Sequence, residues 1–276
     1  MNRRTGLCKV ALLLVSMPCV GSMPCAGAEL FYMDHNPFTN EYVGPTGPLV
    51  ISGEIIPGDY DRLLSRILED EDRFLSQNKI ILASDGGDVV EALKIAQLIK
   101  SLFTEVIVGP LTGRCVSACF FIYAGANQRG TDGERLIGIN RPYIANSEAV
   151  SAPDAAIAES TALARVRAFL RENTVPDYLI DEMFRRASDD AYWLSADDEK
   201  NLGYRSPAFS RYLMKKCAWD DEVERASYAG KRPMDELKQM MKCRTRVTQD
   251  AARQALVPVS KERAARGAAG KSLSGP

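Results

Sequence analysis

Residues 79–101 read KIILASDGGDVVEALKIAQLIKS, and the parsing of this stretch decides the fold. KIILAS (79–84) is a short apolar run of the kind that forms a buried strand. DGGD (85–88) is a turn. From Val89 to Phe103 the apolar residues Val89, Leu93, Ala96, Ile99 and Phe103 recur at helical spacing, with Glu91, Lys94 and Ser101 on the opposite face. The unit is strand, glycine turn, helix.

The same grammar extends on both sides. Upstream, PLVISGEI (48–55) reads as a strand stopped by Pro57-Gly58. DYDRLLSRILEDEDRFL (59–75) reads as one amphipathic helix with Leu63, Leu64, Ile67 and Leu68 on its apolar face. Downstream, TEVIVG (104–109) is a third strand, SACFFIYAGA (117–126) a buried helix and RLIGIN (135–140) a further strand. Strands and helices alternating through short links predict parallel pairing and an α/β layer fold. After Arg141-Pro142-Tyr143 the chain turns helical. Residues 152–173 place Leu163, Val166, Phe169 and Leu170 on one face, and Pro176 opens a helix over 177–187. In WLSADDEKNLGY (193–204), Ser195 is a helix N-cap and Gly203 the stop. Residues 208–254 read as two helices broken at Gly230 and Pro233, and no internal repeat is visible.

The first residues read as an export signal. MNRR precedes the apolar VALLLVSM, and AGA (26–28) offers small residues for cleavage, with Glu29 as the expected first mature residue. The apolar run is too short to span a bilayer. Cys19 and Cys25 both follow proline, which argues against a lipid-anchored cysteine. The expected organisation is leader 1–28, irregular arm 29–47, core domain 48–205, helical extension 206–256 and disordered tail 257–276. The product is expected to be exported to the periplasm and not to be an integral membrane protein.

Removing the leader takes Arg3, Arg4 and Lys9 with it, leaving 32 basic against 36 acidic residues and a net charge of −4. That balance argues against a nucleic-acid partner. Four cysteines remain: Cys115, Cys119, Cys217 and Cys243. In an oxidising compartment an even number favours disulfides. Three pairings are possible; the local ones, Cys115–Cys119 and Cys217–Cys243, are favoured. Free buried thiols are the alternative for the first pair. No His, Cys, Asp and Glu cluster has metal-ligand spacing, and no cofactor is implied.

Two stretches could carry chemistry. The Gly86-Gly87 turn frees backbone N–H groups at a helix start and lets a substrate come close. About thirty residues on, GRCVSACFF (113–121) puts Ser117 at the first turn of a buried helix, with Ala118 N–H facing the same space. A serine there is more often an N-cap than a nucleophile. Two strand–turn–helix units at this spacing, with serine on the second, are more specific.

On these residues the chain resembles the ClpP/crotonase superfamily, and most closely the exported ClpP-like proteins of bacteria. The matching stretches are ASDGGDVVEALKIAQLIKS, CVSACFFIYAGA, IGINRPY and YWLSADDEKNLGY, spread over residues 48–205. Asp85 departs from the pattern, which usually has proline there. The resemblance implies a repeated β-β-α spiral core with a helical C-terminal extension, and a homo-oligomer. It implies Ser117 as nucleophile, with Gly86, Gly87 and Ala118 around the oxyanion. The base of the family is a histidine in a motif like IGIHRP, and here that position is Asn140. The acid falls at or near Ala191, so Asp190 is the candidate and Asp189 the next.

Asparagine is no base, because its amide nitrogen has no available lone pair, and a serine hydroxyl needs one. No lysine occurs between Lys100 and Lys200 to form a Ser–Lys dyad. Arg141 and Arg165 stay protonated. Asp189, Asp190 and Glu148 are weak acceptors, and His35 stands far upstream. The leading expectation is a peptidase homologue that has lost its base and keeps a peptide- or acyl-binding groove. The alternatives are an active serine hydrolase with a non-standard base, such as His35 in trans, and a structural protein that only builds a ring.

Overall fold

The computed structural model describes residues 27–35, 44, 47–109, 113–143 and 152–272. In chain order the core elements are β1 (Glu29–Tyr32), β2 (Leu49–Ser52), α1 (Asp59–Glu69), α2 (Glu71–Gln77), β3 (Lys79–Ala83), α3 (Val89–Ser101), β4 (Glu105–Val108), β5 (Cys115–Val116), α4 (Cys119–Gly125), β6 (Gln128–Thr131) and β7 (Ile137–Ile139). Then follow α5 (Ala152–Glu172), α6 (Asp177–Arg185), β8 (Tyr192–Trp193), α7 (Ala196–Leu202), α8 (Pro207–Cys217), α9 (Asp221–Tyr228) and α10 (Met234–Ser272).

The fold is α/β with a helical C-terminal region, as the alternation predicts. One sheet has the order β1-β2-β3-β4-β6, a second the order β5-β7-β8. The pairs β2/β3, β3/β4 and β4/β6 are parallel, with Ile51 opposite Leu82 and Ile80 opposite Val106. β5/β7 is also parallel. The sheets meet at Ser84, which bridges to Cys115. Ser84 N–H donates to Arg114 O and Val116 N–H to Ser84 O, both at 2.9 Å. The core is continuous from β1 to α7, is joined by Ala252 and Leu256 of α10, and includes Leu82, Ile95, Phe120, Phe121 and Leu170. A burial of this kind contributes about 25 cal/mol per Å² of apolar surface.

Several expectations change. The arm 29–47 is not irregular throughout: β1 pairs antiparallel with β2, Leu30 opposite Ile51. Tyr32 is buried there, with Arg66 and Arg73 over its ring at 4.7 and 4.4 Å. The helix of 59–75 is two helices, because Asp70 leaves helical geometry and caps α2 through Arg73 N–H. Glu91, expected on the solvent face of α3, is buried and accepts from Gly58 N–H (2.9 Å) and Tyr60 N–H (2.7 Å). It thereby satisfies amides at the start of α1 that have no intrahelical acceptor. Residues 208–254 hold three helices instead of two, and α10 stays helical to Ser272, across most of the segment expected to be disordered. The short strands β5, β6 and β8 add to the elements that periodicity predicts.

Beyond the core, α8, α9 and α10 enclose a satellite cluster of Phe209, Leu213, Trp219, Val223, Leu237 and Met240. The Cys217–Cys243 disulfide joins α8 to α10, with Cα atoms 5.6 Å apart. Arg129 is fully buried and binds only carbonyl oxygens: Ala124 O (2.6 Å), Leu202 O (2.9 Å) and Gly203 O (3.0 Å). These oxygens end α4 and α7, where helix dipoles favour a cation. Burial lowers the Arg129 pKa to about 10, which leaves it charged at neutral pH.

Candidate active site

The glycine turn is held in place before any ligand arrives. Ser84 Oγ accepts from Gly86 N–H at 3.1 Å. Ile55 N–H donates to Gly86 O (2.8 Å) and Asp88 N–H to Ile55 O (2.7 Å), so Ile55 clasps the turn on both sides. Gly86 and Gly87 have φ of +111° and +133°, where side chains are strained. A β-carbon on Gly87 would overlap the Ile55 backbone. Asp88 then caps α3 through Glu91 N–H at 2.7 Å.

The second motif lies directly against the first. A β-carbon on Gly86 would stand 2.8 Å from Ser117 Cβ, 3.0 Å from Val116 O and 3.1 Å from Ala118 N. The absent side chain is what lets the turn touch the serine. Ser117 has φ +56°, in the left-handed region. Its N–H donates to Gly138 O (3.1 Å) and its carbonyl accepts from Phe120 N–H (2.9 Å). The N-cap of α4 is Ala118, without a side-chain cap, so Ser117 does not serve as one. The Cys115–Cys119 disulfide spans the serine, with Cα atoms 5.3 Å apart, and both cysteines are buried. This is the pairing favoured from sequence, and Cys115, in strand β5, is the non-helical cysteine that such a short bridge needs.

Of the three groups expected around an oxyanion, Gly86 contributes close approach but has its N–H engaged by Ser84. The N–H groups of Gly87 and Ala118 meet no acceptor among the described residues.

Asn140 follows β7 and is 7% exposed. Its Nδ2 donates to Ser188 O. Its Oδ1 is buried without a hydrogen-bond partner among the described residues. Asp190 is exposed and paired with Arg186 at 3.0 Å. Asn140 therefore reaches the loop that carries Asp190 through a backbone carbonyl, not through the carboxylate. Asp189 is exposed on the same loop, and Glu148 lies outside the described residues. His35 follows β1, the outermost strand of its sheet, and does not line the site cavity.

A cavity of about 840 Å³ runs along the turn. Ser52, Gly53 and Glu54 form one wall, and Gly113, Arg114 and Leu136 another. Arg114 pairs with Asp85 at 2.6 Å, and its guanidinium carbon lies 5.7 Å from the Trp193 ring centroid. Asp85 is thus occupied by a cation at the cavity. Sequence reasoning missed Arg114, Ile55, Ser84 and Ser188. The signal available for Arg114 was its place beside the Gly113 turn; the others act through backbone or local bonds that only the fold reveals.

Among the described residues no group of three His, Cys, Asp or Glu side chains could hold a metal. No helix there is long and apolar enough to cross a membrane.

No protein-family model matches the chain, and no curated protein matches it. Solved structures do. ClpP1 from Listeria monocytogenes is 20% identical, with 57% of this chain and 88% of that chain covered and a TM-score of 0.40. A point mutant of the same ClpP1 is 22% identical over the same shares, also at 0.40. The 1510-N membrane-bound stomatin-specific protease, in a mutant form, is 20% identical, covering 62% of this chain and 83% of that one, at 0.40. These matches to ClpP-type and stomatin-specific proteases cover 57% to 62% of this chain.

Proposed function

We propose that the protein is an exported ClpP-like serine-peptidase homologue that binds an extended peptide or acyl group beside Ser117 without turning it over. The observation that carries this reading is the pairing of an assembled serine turn with a residue that cannot accept its proton. Gly86 sits on Ser117, and two N–H groups stand free of protein acceptors among the described residues. The base position holds an asparagine whose Nδ2 is spent on Ser188 O. Loss of a triad member typically lowers turnover by several orders of magnitude, while an oxyanion pocket survives it. The leader-like residues 1–28 and the two disulfides fit an oxidising compartment. A homo-oligomer is part of the proposal, and light scattering on the mature chain tests it: a monomer removes the ring-based reading.

Labelling with a fluorophosphonate probe tests the chemistry. The wild-type protein is expected to stay unlabelled, as is the Ser117→Ala control. Asn140→His is expected to gain slow labelling, with Ser188 O available to orient the imidazole. Wild-type labelling that vanishes in Ser117→Ala would replace this reading with an active hydrolase using another base.

A further inference from the structure

Asp59, the first residue of α1, is a carboxylate only 1% exposed. Its Oδ2 accepts from Ile56 N–H at 2.9 Å and from Ala28 N–H at 3.1 Å, and its Oδ1 is engaged by Arg62. Ala28 is itself fully buried. A β-carbon on Gly27 would overlap the Arg62 guanidinium and lie 2.6 Å from both Asp59 Oδ1 and Ile56 Cγ1. The chain leaving β1 towards the leader therefore runs onto this carboxylate where the leader is expected to end. The strand cannot drift away, because Tyr32 is held between Arg66 and Arg73, and Arg73 also pairs with Asp34.

An amide N–H is a modest partner for a buried carboxylate; an ammonium group is a stronger one. Leader removal makes that exchange. A signal peptidase adds one water across one peptide bond. The departing leader keeps the carboxylate, and the new first residue keeps an amine that takes a proton from solvent. We propose that Asp59 is the receptor for the α-ammonium group of the processed chain. This inference rests on the reading that the leader is removed. A cut between Gly27 and Ala28 leaves the ammonium on the nitrogen already 3.1 Å from Asp59. A cut after Ala28 leaves it on Glu29, one residue or about 3.8 Å further along. The other charges around Asp59 are Arg62 on α1 and, from α3, Glu91 with its partner Lys94.

The receptor also reaches the candidate active site. The oxygen that faces Ala28 holds Ile56 N–H, and the preceding residue, Ile55, clasps Gly86 and Asp88. The terminus and the glycine turn are thus linked through two consecutive residues, the path along which processing is proposed to act on the turn.

Intact mass of the exported protein comes first. A retained leader, or a first residue other than Ala28 or Glu29, overturns the processing reading itself. With the terminus at either residue, its α-amino pKa is read from pH-dependent amine modification, in native protein and in urea. The expected native value lies at least about one unit above the ordinary 7.7–8.0. It returns to that range in Asp59→Asn, and amide exchange at 55–56 and 86–88 quickens. A native terminus of correct mass that titrates as it does in urea overturns the receptor alone. Should Asp59→Asn fail to fold, a chain with Gly-Ser added before its native first residue replaces it. That chain keeps Asp59 but moves the ammonium, and exchange at 55–56 unchanged from the native chain overturns the proposal.

Discussion

Ser117 carries a side chain in a backbone conformation that side chains resist. A non-glycine residue at φ +56° carries roughly 1 kcal/mol or more of strain. Ser117→Gly is therefore expected to unfold at a higher temperature than Ser117→Ala, by about that free energy; equal melting of the two would remove the strain argument. At Gly87 the sign reverses. Gly87→Ala must push Ile55 aside as well as adopt φ +133°, so it destabilises by more than about 1 kcal/mol in a denaturant titration. The turn and the serine were legible because each is written in a few adjacent residues. The partners of Asn140 were not, because a bond to Ser188 O depends on a loop 48 residues away.

At the scale of elements, α7 shows how a cap becomes a pH-dependent feature. Asp198 is buried beneath Tyr178 and Tyr192, accepting from both hydroxyls at 2.8 Å and from Ser195 N–H at 2.9 Å. Burial alone would raise its pKa; the hydrogen bonds from Ser195, Tyr178 and Tyr192 outweigh it, and the carboxyl is held below its usual value. A depressed folded-state pKa gives stability that is present above the unfolded value, about 3.9, and lost as pH falls through the folded one. Asp198→Asn is thus expected to be less stable than wild type by about 1 kcal/mol at pH 6. The difference should vanish near pH 2, and a gap that persists in acid would point to packing instead. The same scale explains what sequence could show. β3 and α3 announce themselves by period, and Ser195 and Gly203 by cap chemistry. β5 and β8 have two residues each and exist through their pairing with β7, β5 also bridging to Ser84. β6 reads QRGT, polar enough to pass for a loop; its Arg129 is buried because three carbonyl oxygens await it.

For the whole molecule, the disulfides divide the labour between the site and the extension. Cys217–Cys243 closes a span of 26 residues around the satellite cluster, and a loop of this length contributes on the order of 3 kcal/mol. The Cys217→Ala/Cys243→Ala pair is expected to speed hydrogen exchange across α8, α9 and the start of α10 while leaving β3 and α3 protected. Exchange rising equally in both regions would mean that the extension and the core unfold as one unit.

The junction at Ser84 has a mechanical consequence. One wall of the cavity follows β2 and belongs to the first sheet; the other leads into β5 and β7 and belongs to the second. Ser84 is bonded to both sheets and to the turn between the walls. The separation of the two walls is therefore set where the two sheets are joined, and not by any one side chain that lines them.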